Sequence, residues 1–436
     1  MDTYENAIKY LNSFLNYEQL GFQKKIEFNL DKLKVAFKKL DNPQETFKVI
    51  HIAGTKGKGS VCTYAESILR ASGYTTGLFT SPHLYNVTER IQVNGETINE
   101  KEFVDIFHYL NECLGDKINE EFTYFEILTI AAAVYFRSKK VEIAVFETGM
   151  GGRLDATNVL NAQVCAITPV SYDHMQFLGE TIEKIAREKS AIIKENSKCV
   201  LLPQKMEAMK EIKNRCSNVN ADLVLVGGKI KYYIKTSDIG GTTFDISGIY
   251  GYYSDCFTRM PGVFQVENCS AGIGLCEIVI GKDKIDPDLV KKGIENAFIP
   301  GRLEVISRNP FIVLDGAQNA ASAAALKYSI EQIGKYDKLI LLIGISKDKD
   351  IKGFCKELVP AADEVIVTRS SNPRALDPYV LRGYIRGNKV YATKDIKEAL
   401  GVALGKVKKK GMILVAGSFF LVAEVRKLVV GSNKRV

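Results

Sequence analysis

What this chain lacks narrows its chemistry before any motif is read. Its nine cysteines stand at positions 62, 113, 165, 199, 216, 256, 269, 276 and 355, with no C-x-x-C pair among them. That spacing indicates neither a zinc site nor a disulfide framework, and each thiol is expected to act as a small buried hydrophobe. The opening Met1-Asp2-Thr3-Tyr4-Glu5 has no basic-then-apolar layout, so no secretory signal is expected. The longest helix-like apolar stretch, residues 127–136, is too short to span a bilayer. A cytoplasmic protein with no membrane partner is the expectation. Net charge is +8, yet no long basic run with interleaved aromatics occurs, so nucleic acid is not expected as a partner. The surplus of lysine fits small polyanionic substrates better. No serine or cysteine triad motif is evident, which agrees with chemistry that needs no protein nucleophile.

What is present is an ordinary globular balance, 25% charged and 46% apolar, in a chain of 436 residues, long enough for two or three domains. Strand-like runs at 48–53, 77–80, 141–147, 164–168 and 199–202 alternate with helical patterns at 60–72, 101–114, 124–139, 181–194 and 205–216. A further helical stripe covers 26–40. Alternation of this kind predicts a mostly parallel sheet covered on both faces. From about 223 to 260 the pattern changes to short Gly-rich and aromatic runs, read as antiparallel hairpins at the edge of the first domain. Helical patterns return at 264–280 and 288–298, and Ile299-Pro300-Gly301-Arg302 then breaks the chain. A fresh series follows, with strands expected at 311–315, 338–345, 364–368, 389–393 and 412–417. The fold class expected is therefore α/β: a mostly parallel-sheet domain over 1–299, which the glycine loop Gly54–Ser60 between a strand and a helix marks as a P-loop nucleotide-binding domain, and a smaller doubly wound, Rossmann-like C-terminal domain over 300–436.

Gly54-Thr55-Lys56-Gly57-Lys58-Gly59-Ser60 follows the apolar run Val49-Ile50-His51-Ile52-Ala53 and precedes a helix. Strand, glycine loop, lysine and helix start are the parts that hold a nucleoside triphosphate, because loop amides and the positive helix end face the phosphates. Lys58 adds a point charge and Ser60 offers a hydroxyl to Mg²⁺. Lys56 either touches phosphate or points to water. Gly59, between the lysine and the serine, departs from the usual Walker spacing.

Glu147 ends the run at 141–147, at the tip of a central strand where open α/β sheets bind ligands. It is read as a Mg²⁺ co-ligand of Ser60, the alternative being a strand-end cap. Gly149, Gly151 and Gly152 follow it and permit close approach of the backbone. Thr168-Pro169-Val170-Ser171-Tyr172-Asp173-His174 brings Asp173 and His174 to the same edge, giving His174 a metal or phosphate role. His108, on a helix, reads as a surface residue. Residues 181–193 form an amphipathic helix on which Lys189, by physics alone, reads as a solvated charge.

The order of these motifs resembles the folylpolyglutamate synthase and dihydrofolate synthase family of the Mur ligase superfamily across nearly the whole chain. Gly54–Ser60 is similar to its phosphate loop, and Thr80-Ser81-Pro82-His83-Leu84 to its folate-site segment. Matches continue through Tyr124-Phe125-Glu126, the loop from Glu147 to Asn158, Asp173-His174, Glu188-Lys189 and Gln265 with Asn268. They end with Gly301-Arg302-Leu303-Glu304, Asp315-Gly316-Ala317-Gln318-Asn319 and Gly417-Ser418-Phe419-Phe420.

The resemblance implies an ATPase domain over 1–299 and a glutamate-ligase domain over 300–436. It implies that Gly54, Thr55, Lys56, Gly57, Lys58, Gly59, Ser60, Gln265, Asn268, Arg302 and Asp315 contact ATP, with Arg302 and Asp315 reaching from the second domain. Ser60 and Glu147 would hold one Mg²⁺, and His174 with a carbamylated Lys189 a second. Thr80, Ser81, Pro82 and His83 would meet the folate. Lys58, Glu147, His174 and Lys189 carry the catalytic expectation, and a monomer is expected. One departure stands out: Gln318 occupies the family's histidine position and cannot carry charge.

The implied reaction is ATP-dependent amide formation between a folate or dihydropteroate carboxylate and L-glutamate, through an acyl phosphate. The rival within enzymes is a Mur-type ligase acting on a UDP-linked cell-wall precursor. A nucleotide-gated binding protein without catalysis is the rival from another class, motivated only by Gln318.

Overall fold

A computed structural model describes residues 2–17, 29–115, 118–333 and 336–431. The start of the helical stripe expected at 26–40 falls outside these residues; its described part is the helix Asp31–Lys39. The chain divides into two compact units. The first comprises Met1–Tyr233, Phe244–Cys256 and Val266–Ala297, the second Ile234–Thr243, Phe257–Gln265 and Phe298–Val436. Besides the break near residue 298, the second unit therefore takes two segments from the hairpin region that the sequence placed wholly in the first. Ile239, at a hairpin tip, explains this, because it packs among the apolar core residues of the second unit.

In the first unit the strands run β1 (Lys48–Ala53), β2 (Thr76–Phe79), β3 (Ile91–Val93), β4 (Glu96–Thr97), β5 (Ile143–Glu147), β6 (Val164–Ile167), β7 (Lys198–Leu201) and β8 (Asp222–Leu225). Among the described residues they form one sheet in the order β4-β3-β2-β5-β1-β6-β7-β8. All neighbours from β2 to β8 pair in parallel, whereas β3 and β4 add an antiparallel edge. Residues 222–225, read from sequence as the start of the hairpin region, are instead the far parallel strand. Apart from exposed Lys48, the three central strands are buried along their length and mostly apolar, with His51 and Glu147 the polar exceptions, as suits a sheet covered on both faces. Their register pairs Ile52 with Glu147 and Ala53 with Ile167. Three strands thus end side by side, and the loops after Ala53, Glu147 and Ile167 leave from one edge.

A three-stranded sheet follows, β11-β10-β9, built from β9 (Lys231–Asp238), β10 (Gly241–Ser247) and β11 (Tyr252–Thr258). The next helix, Val263–Ile280, corrects the expectation drawn from residues 127–136. By length and composition it could cross a bilayer, yet 72% of it is buried within the protein, as befits a core helix. Eight cysteines are buried and none is paired; Cys113, half-buried, is the departure from the expected set.

The second unit holds β12 (Glu304–Arg308), β13 (Phe311–Leu314), β14 (Leu339–Ile343), β15 (Glu364–Val367), β16 (Lys389–Ala392) and β17 (Met412–Ala416). Their order is β12-β13-β17-β14-β15-β16, parallel except for the antiparallel edge strand β12. The sequence missed β12, whose polar and charged residues give it no apolar run. Beneath this sheet edge, buried Arg426 donates through Nε to both carboxylate oxygens of Glu304, at 2.9 and 3.0 Å.

Candidate active site at the strand-end edge of the first unit

The loop after β1 turns on two glycines, Gly54 and Gly57, that no other residue fits. Gly54 has φ +147°, and a Cβ there would lie 1.8 Å from Thr168 Oγ1. Gly57 has φ +85° and caps the helix Lys58–Ala71; its Cβ would meet Asn268 Oδ1 at 2.5 Å. Left-handed backbone and tight neighbours both demand glycine. Gly59 differs. It sits in the first helical turn, where a Cβ would meet only the Glu147 carboxylate, 3.6 Å from Oε2. The loop is tied to the one after β6: the amides of Thr55 and Lys56 donate to the Pro169 carbonyl at 3.1 and 3.4 Å. Thr55 Oγ1 also donates to the Ser171 carbonyl and accepts from the Ser171 amide.

Glu147 is buried at the end of β5, beside that first turn. Its Oε1 lies 3.8 Å from Lys58 Nζ, and its Oε2 accepts the Ser81 amide at 3.0 Å. Lys58, Gly59, Glu147 and Ser81 are therefore brought together, with Ser60 next in the helix. The loop after Glu147 packs closely: a Cβ on Gly149 would strike the Phe125 ring, and one on Gly152 the Glu188 and Lys189 carbonyls.

Lys189 is 4% exposed, not solvated. Its Nζ donates to the Gly54 carbonyl at 2.7 Å. Burial first, and the charge of Lys58 second, lower its pKa to about 7 against the opposing pull of Asp173 and Asp155. His174 is reached differently from the sequence expectation. Its strand ends at Ile167, so His174 lies in the loop beyond, with φ +48°, at the start of the short helix Met175–Leu178. Its Nε2 is 3.8 Å from Asp173 Oδ1. Among the described residues no three His, Cys, Asp or Glu side chains form a ready metal cluster.

The segment that begins at Thr80 is a loop closed on itself. The Thr80 amide donates to the Arg90 carbonyl, and Glu89 accepts the amides of Leu84, Tyr85 and Asn86. Buried Arg90 donates from Nε to His83 Nδ1 at 2.9 Å, and its guanidinium lies over the Tyr124 ring. A guanidinium only donates, so neutral His83 carries its proton on Nε2. His108 is half-buried rather than fully at the surface.

Three buried residues that the sequence did not single out for a role join this edge. Asp155 accepts the Met150 amide at 2.8 Å and the Thr157 amide at 3.1 Å, while the Thr157 hydroxyl meets His51 Nε2 at 2.7 Å. Only the interior position of His51 in an apolar strand signalled this in the sequence; its partner lies 106 residues away.

Gln265 lies three residues before Asn268 on the helix Val263–Ile280 and clusters with the second unit. There, Asp315 accepts the amides of Leu303 and Ala317 at 3.0 and 2.8 Å, and Arg302 lies over the Phe419 ring at 4.4 Å. The Gln318 amide donates to Ser322 Oγ at 3.1 Å, so its backbone takes part in starting the helix Ala320–Ile333.

Residues 52–276 match the Mur ligase middle domain and residues 301–419 the Mur ligase glutamate ligase domain. The chain is 32% identical over 421 residues to a dihydrofolate synthase/folylpolyglutamate synthase of Buchnera aphidicola, covering 96% of this chain and 98% of that one. A Mycobacterium tuberculosis folylpolyglutamate synthase solved with ADP superimposes with a TM-score of 0.90 at 29% identity, over 98% of each chain. Escherichia coli FolC, solved in complex with DHPP and ADP, superimposes at 0.86 and 26% identity, again over 98% of each. With both domain types matched in order and relatives aligned end to end, the chain belongs to the folylpolyglutamate synthase/dihydrofolate synthase family of Mur ligases.

Proposed function

We propose that this chain joins L-glutamate to the carboxyl end of folates, and to dihydropteroate, at the expense of ATP. The observation that carries the reading is the meeting of Lys58, the first helical turn and the Glu147 carboxylate at the end of a glycine loop. An acceptor carboxylate resists amines because its charge is delocalised. Its oxygen attacks the γ-phosphorus, ADP departs, and an acyl phosphate remains. The glutamate amine then attacks the acyl carbon and gives up a proton as phosphate leaves. Lys58 and the amides at the helix start stabilise charge on the transferred group, and no protein nucleophile is required.

The donor set suits Mg²⁺, which takes one or two protein oxygens and fills the rest with phosphate and water. Ser60 and Glu147 would hold it, and when bound it neutralises phosphate charge. The Thr80–His83 segment is assigned to the folate, and Gln265, Asn268, Arg302 and Asp315 to ATP. Lys189 is assigned a carbamate. Its burial and lowered pKa keep neutral amine available to CO₂ at neutral pH, and the product replaces a cation with oxygens that would serve a second Mg²⁺ beside His174.

Glutamate-dependent phosphate release from MgATP, compared with dihydropteroate and tetrahydrofolate as acceptors, tests the reading. Turnover with both supports the bifunctional assignment, and turnover with one restricts it to that acceptor. No glutamate-dependent release with either would sink it.

A further inference from the structure

His51 sits inside β1, between Ile50 and Ile52, and is wholly buried. Burial, with a minor contribution from the Lys194 charge, lowers its pKa to about 3, so the ring is neutral. Its Nδ1 has no hydrogen-bond partner among the described residues. A leucine or phenylalanine would avoid that cost at a position in the sheet interior, so the ring's other nitrogen must explain the choice.

That nitrogen, Nε2, lies 2.7 Å from Thr157 Oγ1. Asp155 gathers the amides of Gly149, Met150 and Thr157 as an acceptor, so the Thr157 hydroxyl gives its one proton to Asp155 Oδ1. Having spent that proton, Thr157 can only accept from the ring. The tautomer is thereby fixed: His51 Nε2–H donates to Thr157, and Thr157 O–H donates to Asp155. The relay ends on the carboxylate that clamps the residues directly after Glu147 and Thr148. Along the same strand, the residue after His51, Ile52, is in register with Glu147, and its carbonyl accepts the Thr148 amide at 2.9 Å.

We propose that His51 and Thr157 are positioning residues: their relay orients Asp155, whose amide contacts hold the loop that aims Glu147 at the phosphate site. This rests on the ligase reading only for the consequence in turnover; the relay itself is read separately.

The test uses the full chain and the variants H51L, H51Q, T157V, T157S and H51L/T157V. Gln retains an N–H donor and Ser retains the hydroxyl, whereas valine matches threonine in shape without the hydroxyl. In proton–nitrogen spectra, the wild-type His51 ring should show a proton on Nε2, slow to exchange and absent from Nδ1, and T157V should abolish that protection. At saturating MgATP, H51L and T157V should each lower kcat about tenfold with the acceptor KM within about twofold. The double variant should lose no more than the worse single, because one relay is broken only once. H51Q and T157S should return to within about threefold. Unchanged kcat in T157V, or a double loss equal to the product of the singles, overturns the proposal. If the wild-type chain shows no glutamate-dependent phosphate release, the ligase reading falls. The relay is then decided by the ring proton alone: its loss in T157V supports the relay, and its persistence there overturns it.

Discussion

Lys189 Nζ donates to the carbonyl of Gly54, so the helix Ile182–Ser190 is bonded directly to the first residue of the phosphate loop. A buried amine in that place borders the site, and its lowered pKa, about 7, is what the proposed carbamate requires. Replacing it by alanine removes both the hydrogen bond and the amine on which the proposed carbamate would form. Lys189→Ala should lose at least about a hundredfold in kcat, and millimolar formate or acetate should restore part of it by supplying the missing oxygens. Full activity in the unrescued variant would dispose of the carbamate assignment.

The same residue makes stability depend on pH in a defined window. Its folded pKa of about 7 lies below the ordinary lysine value. Between the two, the unfolded chain binds one more proton than the folded one, so stability rises with pH, by at most about 1.4 kcal/mol per unit. Below about 7 both states are protonated and this slope vanishes. Urea unfolding at pH 6, 7, 8 and 9 in CO₂-free buffer, against Lys189→Met, reads the difference. Parallel curves for the two proteins would show that the ammonium is not disfavoured by folding.

The glycines of the phosphate loop should separate stability from activity. Gly57→Ala forces an alanine to φ +85° and into Asn268 Oδ1, and should cost about 1–3 kcal/mol along with nucleotide affinity. Gly59 lies in a helix, where alanine is favoured by about 0.8–1 kcal/mol. Gly59→Ala should therefore melt no lower than wild type, yet its methyl stands beside the Glu147 carboxylate. A kcat reduced at least about tenfold with an undiminished Tm is expected; wild-type kcat would mean that this face of Glu147 is not used.

The parts legible in the sequence are those encoded locally. The run ending at Ala53, the glycines and the helix after them declare a phosphate loop within about twenty residues. Central strands are plain because burial on both faces makes them mostly apolar runs. Strands of two or three residues such as β3 and β4, and the polar β12, carry too little pattern to be seen. Lys189 was misread although the signal was present. Ile182, Ile185, Ala186 and Lys189 are all buried at helical spacing, so the lysine continues the apolar stripe and its burial follows from periodicity. The partners of Gly54, Gly57 and His51 are Thr168, Asn268 and Thr157, each more than a hundred residues away. Such pairings are set by the sheet order and leave no local trace.

In the second unit, Glu304 matches a family signature beside Arg302, but its contacts are structural. Both its oxygens accept from Arg426 Nε, and the Gly301 amide is a second donor, at 2.8 Å to Oε2. Arg426→Met leaves a buried carboxylate without its cation and should destabilise by about 3–5 kcal/mol. Glu304→Leu combined with Arg426→Met should recover much of that loss. The chain has no tryptophan, so urea unfolding is followed by circular dichroism or tyrosine emission. A single variant as stable as wild type would show that the pair contributes nothing.

Glu147 and Lys58 should fail in different ways, although they lie 3.8 Å apart. Glu147→Gln keeps an acceptor for the Ser81 amide, so the loops should remain in place and ADP without metal should bind as in wild type. The lost charge should lower kcat at least about a hundredfold and raise the Mg²⁺ concentration needed for half-maximal rate. Lys58→Met removes the cation proposed to meet phosphate and leaves Glu147 with less opposing charge, so ADP affinity itself should fall, with or without Mg²⁺. Calorimetric titration of ADP at zero and millimolar Mg²⁺ separates the two. If Glu147→Gln weakens metal-free ADP binding as much as Lys58→Met does, the carboxylate is a support for the loop and the metal must be held elsewhere.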